Sequence, residues 1–436
     1  MTDQHSTVGQ APDRVPEKVT RAQWKAFFAA FGGWALDGYN ASLFGFVLSP
    51  AMVELLPRSG IPADQSHIAF FGELGVAIFL FGWGCSFVWG PIADKYGRVP
   101  TLMASIIVYA VFTFLAGFSQ NVWELNALRL LAAIGIGGEW SMAGTFVSEV
   151  MPEGMRARFG GLLHSGTYWG FVLGAIVNLA IGLEVGWRAM FFIGVLPALF
   201  VLYIRTQVKG DAAKWTNLEG QKHRPLWALF AEVLRKPYRR RSLVNASLVT
   251  IALIGFWASS QYLPTSVANL VKASGNNVSH AALLGTLAAG LLSMITALAC
   301  MFLIPITCDR FGRRPVMATL FVLMIIGIGG GYGLAYNSAN LWLFLVFVVI
   351  MGVGGANFAI FTIWLPEQYP TAIRASGFAF STTVSRFLAA GGTFLIGFGI
   401  SSVGIALPLA LTALPFLVGL ALLLIAPETR GCVLPQ

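Results

Sequence analysis

The sequence predicts an all-α membrane protein: twelve transmembrane helices in two six-helix bundles, with both termini cytoplasmic. Three observations carry this expectation. First, 56% of the 436 residues are hydrophobic and 11% are charged, where a soluble chain carries about 25% charged residues. Mean hydropathy is +0.73. Second, from Trp24 onward apolar stretches recur, each long enough for the ~20 residues that cross a bilayer. Third, Lys and Arg gather in alternate connections between those stretches. This composition excludes a soluble enzyme, a disordered chain and a secreted disulfide scaffold. Cys85, Cys300, Cys308 and Cys432 show no CxxC or CxxH spacing. They read as small hydrophobes rather than staples or metal ligands.

Taken in order, residues 1–23 form a polar cytoplasmic tail without the apolar core of a signal peptide. Six spans follow, at 24–48, 67–91, 99–118, 121–150, 157–182 and 187–206, making a first bundle over 24–206. A cytoplasmic loop covers 207–241. The second bundle, 242–426, holds spans at 242–263, 280–306, 314–334, 340–366, 371–399 and 402–426, and 427–436 is a cytoplasmic tail. Helices are expected because an isolated span must satisfy its backbone internally. No alternating pattern of short segments suggests a barrel. Within the central loop, Leu226, Trp227, Phe230, Val233 and Leu234 stand at helical spacing ahead of a basic run ending at Arg241. That pattern suits a helix on the inner membrane surface, or else a solvated linker.

Orientation follows from the cations. Arg14, Lys18, Arg21 and Lys25 precede or open span 1, Lys95 and Arg98 follow span 2, and Arg156 and Arg158 follow span 4. Ten more separate spans 6 and 7. Arg310, Arg313 and Arg314 follow span 8, Arg374 follows span 10, and Arg430 follows span 12. The opposite connections hold only Arg58, Arg188 and Lys272. The positive-inside rule therefore places both termini in the cytoplasm. The net charge of +9 marks topology and contact with membrane lipid, and no nucleic-acid partner is expected.

The two halves repeat one another. Asp94-Lys-Tyr-Gly97-Arg98-Val-Pro100 recurs 215 residues on as Asp309-Arg-Phe-Gly312-Arg313-Arg-Pro315. Gly135-Ile-Gly-Gly138 with Glu149, Pro152 and Arg156 recurs as Gly352-Val-Gly-Gly355 with Glu367, Pro370 and Arg374. A parallel repeat of this length means two bundles related by an axis normal to the membrane, a recurring transporter architecture.

On these motifs the sequence resembles the major facilitator superfamily past residue 23. The Gly90-x-x-Ala93-Asp94-x-x-Gly97-Arg98 loop is close to that superfamily's signature. Several segments resemble its proton-coupled organic-acid symporters of the sialate and lactate type. They are Asp37-Gly38-Tyr39, Gly137-Gly138-Glu139-Trp140, Gly186-Trp187-Arg188, Gly255-Phe-Trp257 with Leu263-Pro264-Thr265, and Pro366-Glu367-x-x-Pro370-Thr371-x-x-Arg374. Arg386 also stands where that branch carries an arginine. Relatives often continue Asp-Gly-x-Asp in the first helix, but here the fourth residue is Asn40. The resemblance implies secondary active transport of a small organic anion with protons, by a monomer in a plasma or bacterial inner membrane. It implies no enzymatic activity, and no cofactor is expected. A sugar or neutral-metabolite symporter of the same superfamily and a membrane sensor are the alternatives, although no soluble signalling domain accompanies the spans.

An ionisable residue inside a span costs at least a few kcal/mol and asks for a role or a partner. Asp37 lies roughly 20 Å along span 1, near its middle. Arg386 is similarly central in span 11, and Glu139 is deep in span 4. Asp37 and Glu139 are the candidate proton-coupling carboxyls, and Glu139 can equally lock helix packing beside Gly137 and Gly138. Arg386 can offer a carboxylate substrate its planar donor fork. The resemblance implies that helices 1, 4, 7 and 10 line the cavity. Tyr39, Asn40, Arg129, Trp257, Gln261 and Asn357 complete the candidate substrate residues, with Tyr262 and Trp364 nearby. Glu73 reads as solvated at the outer mouth, and His164 as either a titrating or a packing histidine.

Two ionic latches are expected at the inner helix ends. Asp94, Arg98, Glu149, Arg156 and Arg158 form the first, and Asp309, Arg313, Glu367 and Arg374 the second. Partners that change between states would supply the bistable element that alternating access requires. Gly166, Gly170 and Gly174 stand at the four-residue spacing of close helix packing. No GxGxxG or Walker pattern, metal cluster or nucleophile triad is present, so an ATP-driven pump is not supported.

Overall fold

A computed structural model describes residues 18–207, 225–275, 277–432 and 434–435. Among the described residues all regular structure is helical. Ten helical stretches are long and apolar enough to cross a membrane, and an eleventh forms if the bent first helix counts as one span. The sixth expected span, 187–206, is instead a shorter apolar stretch, Trp187–Val201. Its helix is interrupted at Gly194, between Trp187–Ile193 (α7) and Leu196–Gln207 (α8).

The first helix, Arg21–Arg58 (α1), opens with a capping box in which Thr20 and Gln23 satisfy each other's backbone N–H. It bends by 66° between Leu48 and Pro50, where proline removes a backbone donor. Past the bend, Glu54 accepts from Trp187 Nε1 at 2.8 Å and Arg188 Nη1 at 2.5 Å. The Gly-Trp-Arg motif of span 6 is thus a clamp on the C-terminal end of α1. Next come Gln65–Cys85 (α2), Trp89–Tyr96 (α3), Arg98–Ala116 (α4), Val122–Val150 (α5) and Arg156–Val177 (α6).

Gly166, Gly170 and Gly174 of α6 face α1. A Cβ on Gly170 would stand 2.0 Å from the Ala35 carbonyl oxygen, and one on Gly38 of α1 would stand 2.2 Å from that of Thr167. The two backbones touch, as the spacing predicts.

After the segment 208–224, outside the described residues, a short helix forms at Leu226–Val233 (α9). It buries Leu229 and Val233 against Tyr369, Ile373 and Phe380 and leaves Trp227 exposed. The second half contains Arg239–Gln261 (α10), Leu263–Ala273 (α11), Val278–Leu298 (α12), Ile304–Phe311 (α13), Arg313–Gly330 (α14), Leu341–Gly355 (α15), Asn357–Trp364 (α16), Arg374–Val403 (α17), Ala406–Leu411 (α18) and Pro415–Leu423 (α19). The halves meet along two seams, α2 and α3 on α17, and α6 on α12, α13 and α16.

The repeat is written in the backbone too. Gly97 and Gly312 turn between consecutive helices with φ of 103° and 95°, a region that L side chains adopt only with strain. Gly186 and Gly404, 218 residues apart, make a second such pair at 104° and 84°.

Candidate functional site

Arg386 reaches the middle of the molecule from α17 and is fully buried. One guanidinium nitrogen, Nη1, donates to the Thr382 carbonyl oxygen one turn earlier at 2.8 Å. The other two, Nε and Nη2, meet no acceptor of the protein. These two form the side-on edge that matches a carboxylate. The guanidinium carbon lies 4.1 Å from the ring centre of Trp83 in α2 and 5.6 Å from that of Trp140 in α5. Trp257 of α10 closes on Trp83 edge-to-face at 5.7 Å. The indole N–H groups of Trp34, Trp83 and Trp257 are buried with no protein acceptor. This side of the centre is therefore lined with aromatic faces and unmatched donors.

The acids stand beside it. Asp37 is buried in α1, and its Oδ1 has no donor. Glu139 in α5 is buried, and neither oxygen has one. Its carboxyl fills the space over Gly33, where a Cβ would stand 2.1 Å from Oε1. Gly33 lies one turn before Asp37, so both acids meet at the contact of α1 with α5. Asp37 interacts electrostatically with Glu139, with Arg386 and with the Tyr109 hydroxyl. No ion pair within 4.0 Å joins Asp37 to Arg386.

A hydrogen-bonded chain crosses between the halves nearby. Trp140 Nε1 donates to Thr362 Oγ1 at 2.8 Å, and Thr362 Oγ1 lies 2.9 Å from His164 Nδ1. The Trp34, Trp140, Tyr168 and Phe358 rings surround His164. This placement is that of a packed, hydrogen-bonded histidine.

Asp37, Glu139, Trp257 and Arg386 thus come together, and other candidate substrate residues do not join them. Tyr39 turns toward α7, with its hydroxyl 3.5 Å from the Met190 carbonyl oxygen. Asn40 donates to the Leu36 carbonyl oxygen and faces Gly194, between α7 and α8. Gln261 is exposed at the end of α10. Arg129 lies over the Phe79 ring at 4.8 Å, more than two turns before Glu139 along α5. Asn357 donates to the Gly354 carbonyl oxygen at the break between α15 and α16, and its Oδ1 remains buried without a donor. Trp364 turns away entirely and donates to the Pro427 carbonyl oxygen. The Glu73 side chain lies outside the described residues.

Sequence reasoning passed over Trp83, Tyr109 and Thr362. The available signal was the placement of Trp83 about two helical turns before Gly90-x-x-Ala93-Asp94. It is weak, because most aromatic residues in membrane helices serve packing.

Where α3 meets α17, the residues of the first expected latch are joined by ion pairs. Arg98 bonds Asp94 at 2.5 Å and both oxygens of Glu149, at 3.1 and 3.3 Å. Glu149 also accepts from Arg374 Nη1 at 2.9 Å, across the interface. Asp94 caps α17 of the other half, accepting from the Ala375 and Ser376 backbone N–H groups at 3.2 and 2.8 Å and from the Ser376 hydroxyl at 2.5 Å. The second cluster is built differently. Arg313 holds Glu367 with two bonds, at 3.0 and 2.6 Å, and both belong to the second half. Asp309 is exposed and shares no ion pair within 4.0 Å, only longer-range attraction to Arg313, Arg158 and Arg430. Arg156 bonds the Ser148 carbonyl oxygen and pairs with Glu153 at 3.5 Å. The two clusters are thus fastened differently, the first bridged across the interface and the second paired within its own half. The reason is local: the counterpart of Ser376 in the first half is Arg158, which has no short hydroxyl to offer Asp309.

The C-terminal segment packs into this second cluster. Thr429 Oγ1 donates to Glu367 at 2.5 Å, and Glu428 accepts from the Arg313 and Arg314 backbone N–H groups at 3.0 Å each. The Pro435 carbonyl oxygen accepts from Arg374 Nη2 at 2.7 Å.

A repeated helical membrane fold with a buried ionisable centre and an ionic bridge between its halves fits the architecture of a transporter. The Major Facilitator Superfamily profile matches residues 26–307, and the chain belongs to that family. A probable 4-methylmuconolactone transporter of Cupriavidus pinatubonensis is 30% identical over 421 residues, covering 94% of this chain and 91% of that one. The sialic acid transporter NanX of Escherichia coli is 30% identical over 257 residues, covering 58% and 59%. The solved proton:xylose symporter XylE, bound to 6-bromo-6-deoxy-D-glucose, superposes with a TM-score of 0.72 at 18% identity, covering 95% and 98%. That likeness is one of fold. The protein is a multi-pass membrane transporter of bacterial type and not an enzyme.

Proposed function

We propose that the protein moves small organic acids across the membrane by proton symport with alternating access. In this reading it is built as two six-helix bundles, 24–206 and 242–426, with both termini cytoplasmic. Arg386 carries the reading. A buried guanidinium with its side-on edge unmatched costs several kcal/mol, and the face of Trp83 offsets only about 2 kcal/mol of that. A substrate carboxylate completes the pairing and leaves its carbon body against the Trp83, Trp140 and Trp257 faces. A neutral sugar is a poorer match, because its hydroxyls could use the unmatched oxygens of Asp37 and Glu139 but would leave the Arg386 charge without a counter-ion.

Asp37 is the proton carrier in this mechanism. Its charge is balanced by Arg386 while the site is empty. A bound carboxylate takes over the guanidinium, and Asp37 then holds its proton more firmly. Loading of anion and proton are thereby linked, and Glu139 adjoins the pair as a second acid. The similarity to a probable 4-methylmuconolactone transporter and to a sialic acid transporter supports an organic-acid cargo. The test is uptake into proteoliposomes with an imposed inward proton gradient, screening lactate, other short carboxylates, sialic acid and hexoses. Gradient-driven accumulation of a carboxylate is expected. Accumulation of a neutral hexose with no carboxylate transported, or uptake indifferent to the gradient, sinks the reading.

A further inference from the structure

Beside the first turn of α10 lies a cavity of about 350 Å³ lined by Lys236, Pro237, Arg239, Arg240, Leu243 and Val244. The three cations are exposed. None of them forms an ion pair or a side-chain hydrogen bond among the described residues. Arg235 and Arg241 extend the run, so five positive charges crowd into seven residues. Mutual repulsion makes such a cluster unfavourable without an anion.

The surroundings say which anion. α10 enters the apolar part of its span directly after the cations, and Leu243, one turn in, is 46% exposed. The cavity therefore has a cationic rim at headgroup depth and an apolar wall below it. On the preceding helix, Trp227 is 70% exposed while Leu229 and Val233 on the opposite face are buried. An outward tryptophan on a protein-docked amphipathic helix is an interfacial anchor. Free phosphate would match the rim and leave the wall without a partner.

We infer that Lys236, Arg239 and Arg240 hold the phosphate of an anionic phospholipid of the inner leaflet, with its acyl chain along Leu243.

The site is tied to the latch. Ser242 Oγ lies 3.0 Å from both the Val233 carbonyl oxygen and the Tyr369 hydroxyl. Arg241 Nη1 donates to the Gln368 carbonyl oxygen at 3.3 Å. The Tyr369 carbonyl oxygen in turn accepts from Arg374 Nε at 3.2 Å, and Arg374 reaches across to Glu149. A lipid fixing the start of α10 steadies the loop that aims Arg374, and so favours the closed inner side.

The experiment is native mass spectrometry of the detergent-solubilised full chain, titrated with phosphatidylglycerol, with phosphatidylcholine and with inorganic phosphate. Wild type should retain phosphatidylglycerol in preference to phosphatidylcholine. The triple variant K236Q/R239Q/R240Q should lose that preference by about tenfold or more, as expected when several basic residues near an anionic surface are removed. The charge-preserving variant R239K/R240K should keep most of it, which separates loss of charge from misfolding. In liposomes, phosphatidylglycerol should also lower cytoplasmic labelling of Ser148→Cys, placed in a background with the four native cysteines replaced. Equal retention of both lipids, unchanged preference in the triple variant, or displacement of phosphatidylglycerol by millimolar phosphate overturns the assignment. None of these readings depends on what the protein transports.

Discussion

Arg386 concentrates the chemistry of the centre. Its Nη1 is occupied by Thr382 while its Nε and Nη2 have no protein partner. Replacement by lysine keeps the charge and loses the fork. Arg386→Lys should therefore weaken carboxylate binding, and Arg386→Ala should weaken it further. Charge-assisted hydrogen bonds of about 1.5–3 kcal/mol imply a loss of roughly tenfold to a hundredfold. Calorimetric titration with an organic anion and with its neutral amide reads this, and equal weakening of the two would make Arg386 structural. Asp37→Asn mimics the protonated acid. It should abolish accumulation driven by a pH gradient while substrate exchange between the two sides survives. Undiminished uphill transport by the Asn variant would move the proton to Glu139. At this scale the sequence was legible where burial of charge is costly. Asp37, Glu139 and Arg386 stand out because an apolar span excludes such residues. Trp83, Tyr109 and Thr362 did not stand out, because aromatics and hydroxyls are ordinary in membrane helices. Which way Tyr39 and Asn40 face was not legible, because polar residues lie on several sides of α1 between Asp37 and Ser42 and do not fix its rotation.

Helices report their contacts through glycine. The four-residue spacing of Gly166, Gly170 and Gly174 announced a close partner, and α1 is that partner. Gly170→Val would drive a side chain into the Ala35 carbonyl oxygen. It should destabilise the folded protein by about 1–3 kcal/mol, the usual cost of overpacking, read as a lowered thermal midpoint in detergent. Unchanged stability would mean that the two helices are not in backbone contact. The tail beyond α19 offers a pH test. Partial burial pushes the Glu428 carboxyl up, but backbone N–H bonds from Arg313, Arg314, Arg430 and Thr429 outweigh it and hold the group below its ordinary range. The docking that Glu428 contributes is therefore complete above the ordinary glutamate range. It is lost as pH falls through the depressed value. Labelling of the exposed Cys432 should rise on acidification, and Glu428→Gln should show the raised level already at neutral pH. Identical labelling of variant and wild type would separate the tail from this carboxylate. The cap that Glu428 forms on α14 was invisible in sequence, since it joins residues more than a hundred positions apart.

Across the whole molecule, the parallel repeat was readable from two loops, and the backbone adds a further matched pair at Gly186 and Gly404. What the repeat could not reveal is that equivalent residues are fastened unequally. Asp94 is buried and bonded to the other half, whereas Asp309 is exposed. Asp94→Asn should thus raise cytoplasmic cysteine accessibility and slow turnover, with little change in intrinsic substrate affinity. Asp309→Asn should change both far less, because an exposed pair is worth at most about 1 kcal/mol. Equal effects would restore the symmetric picture. The inequality also gives the motion a direction. A lid riveted by buried ions along one edge and held by neutral contacts along the other peels; it does not lift. The edge formed by α6 and α12 parts first, and the strip pinned by Asp94 at Ser376 parts last. Spin labels across each edge, followed by pulsed dipolar spectroscopy while substrate is added, should record two separations in that order, with Asp94→Asn merging them into one.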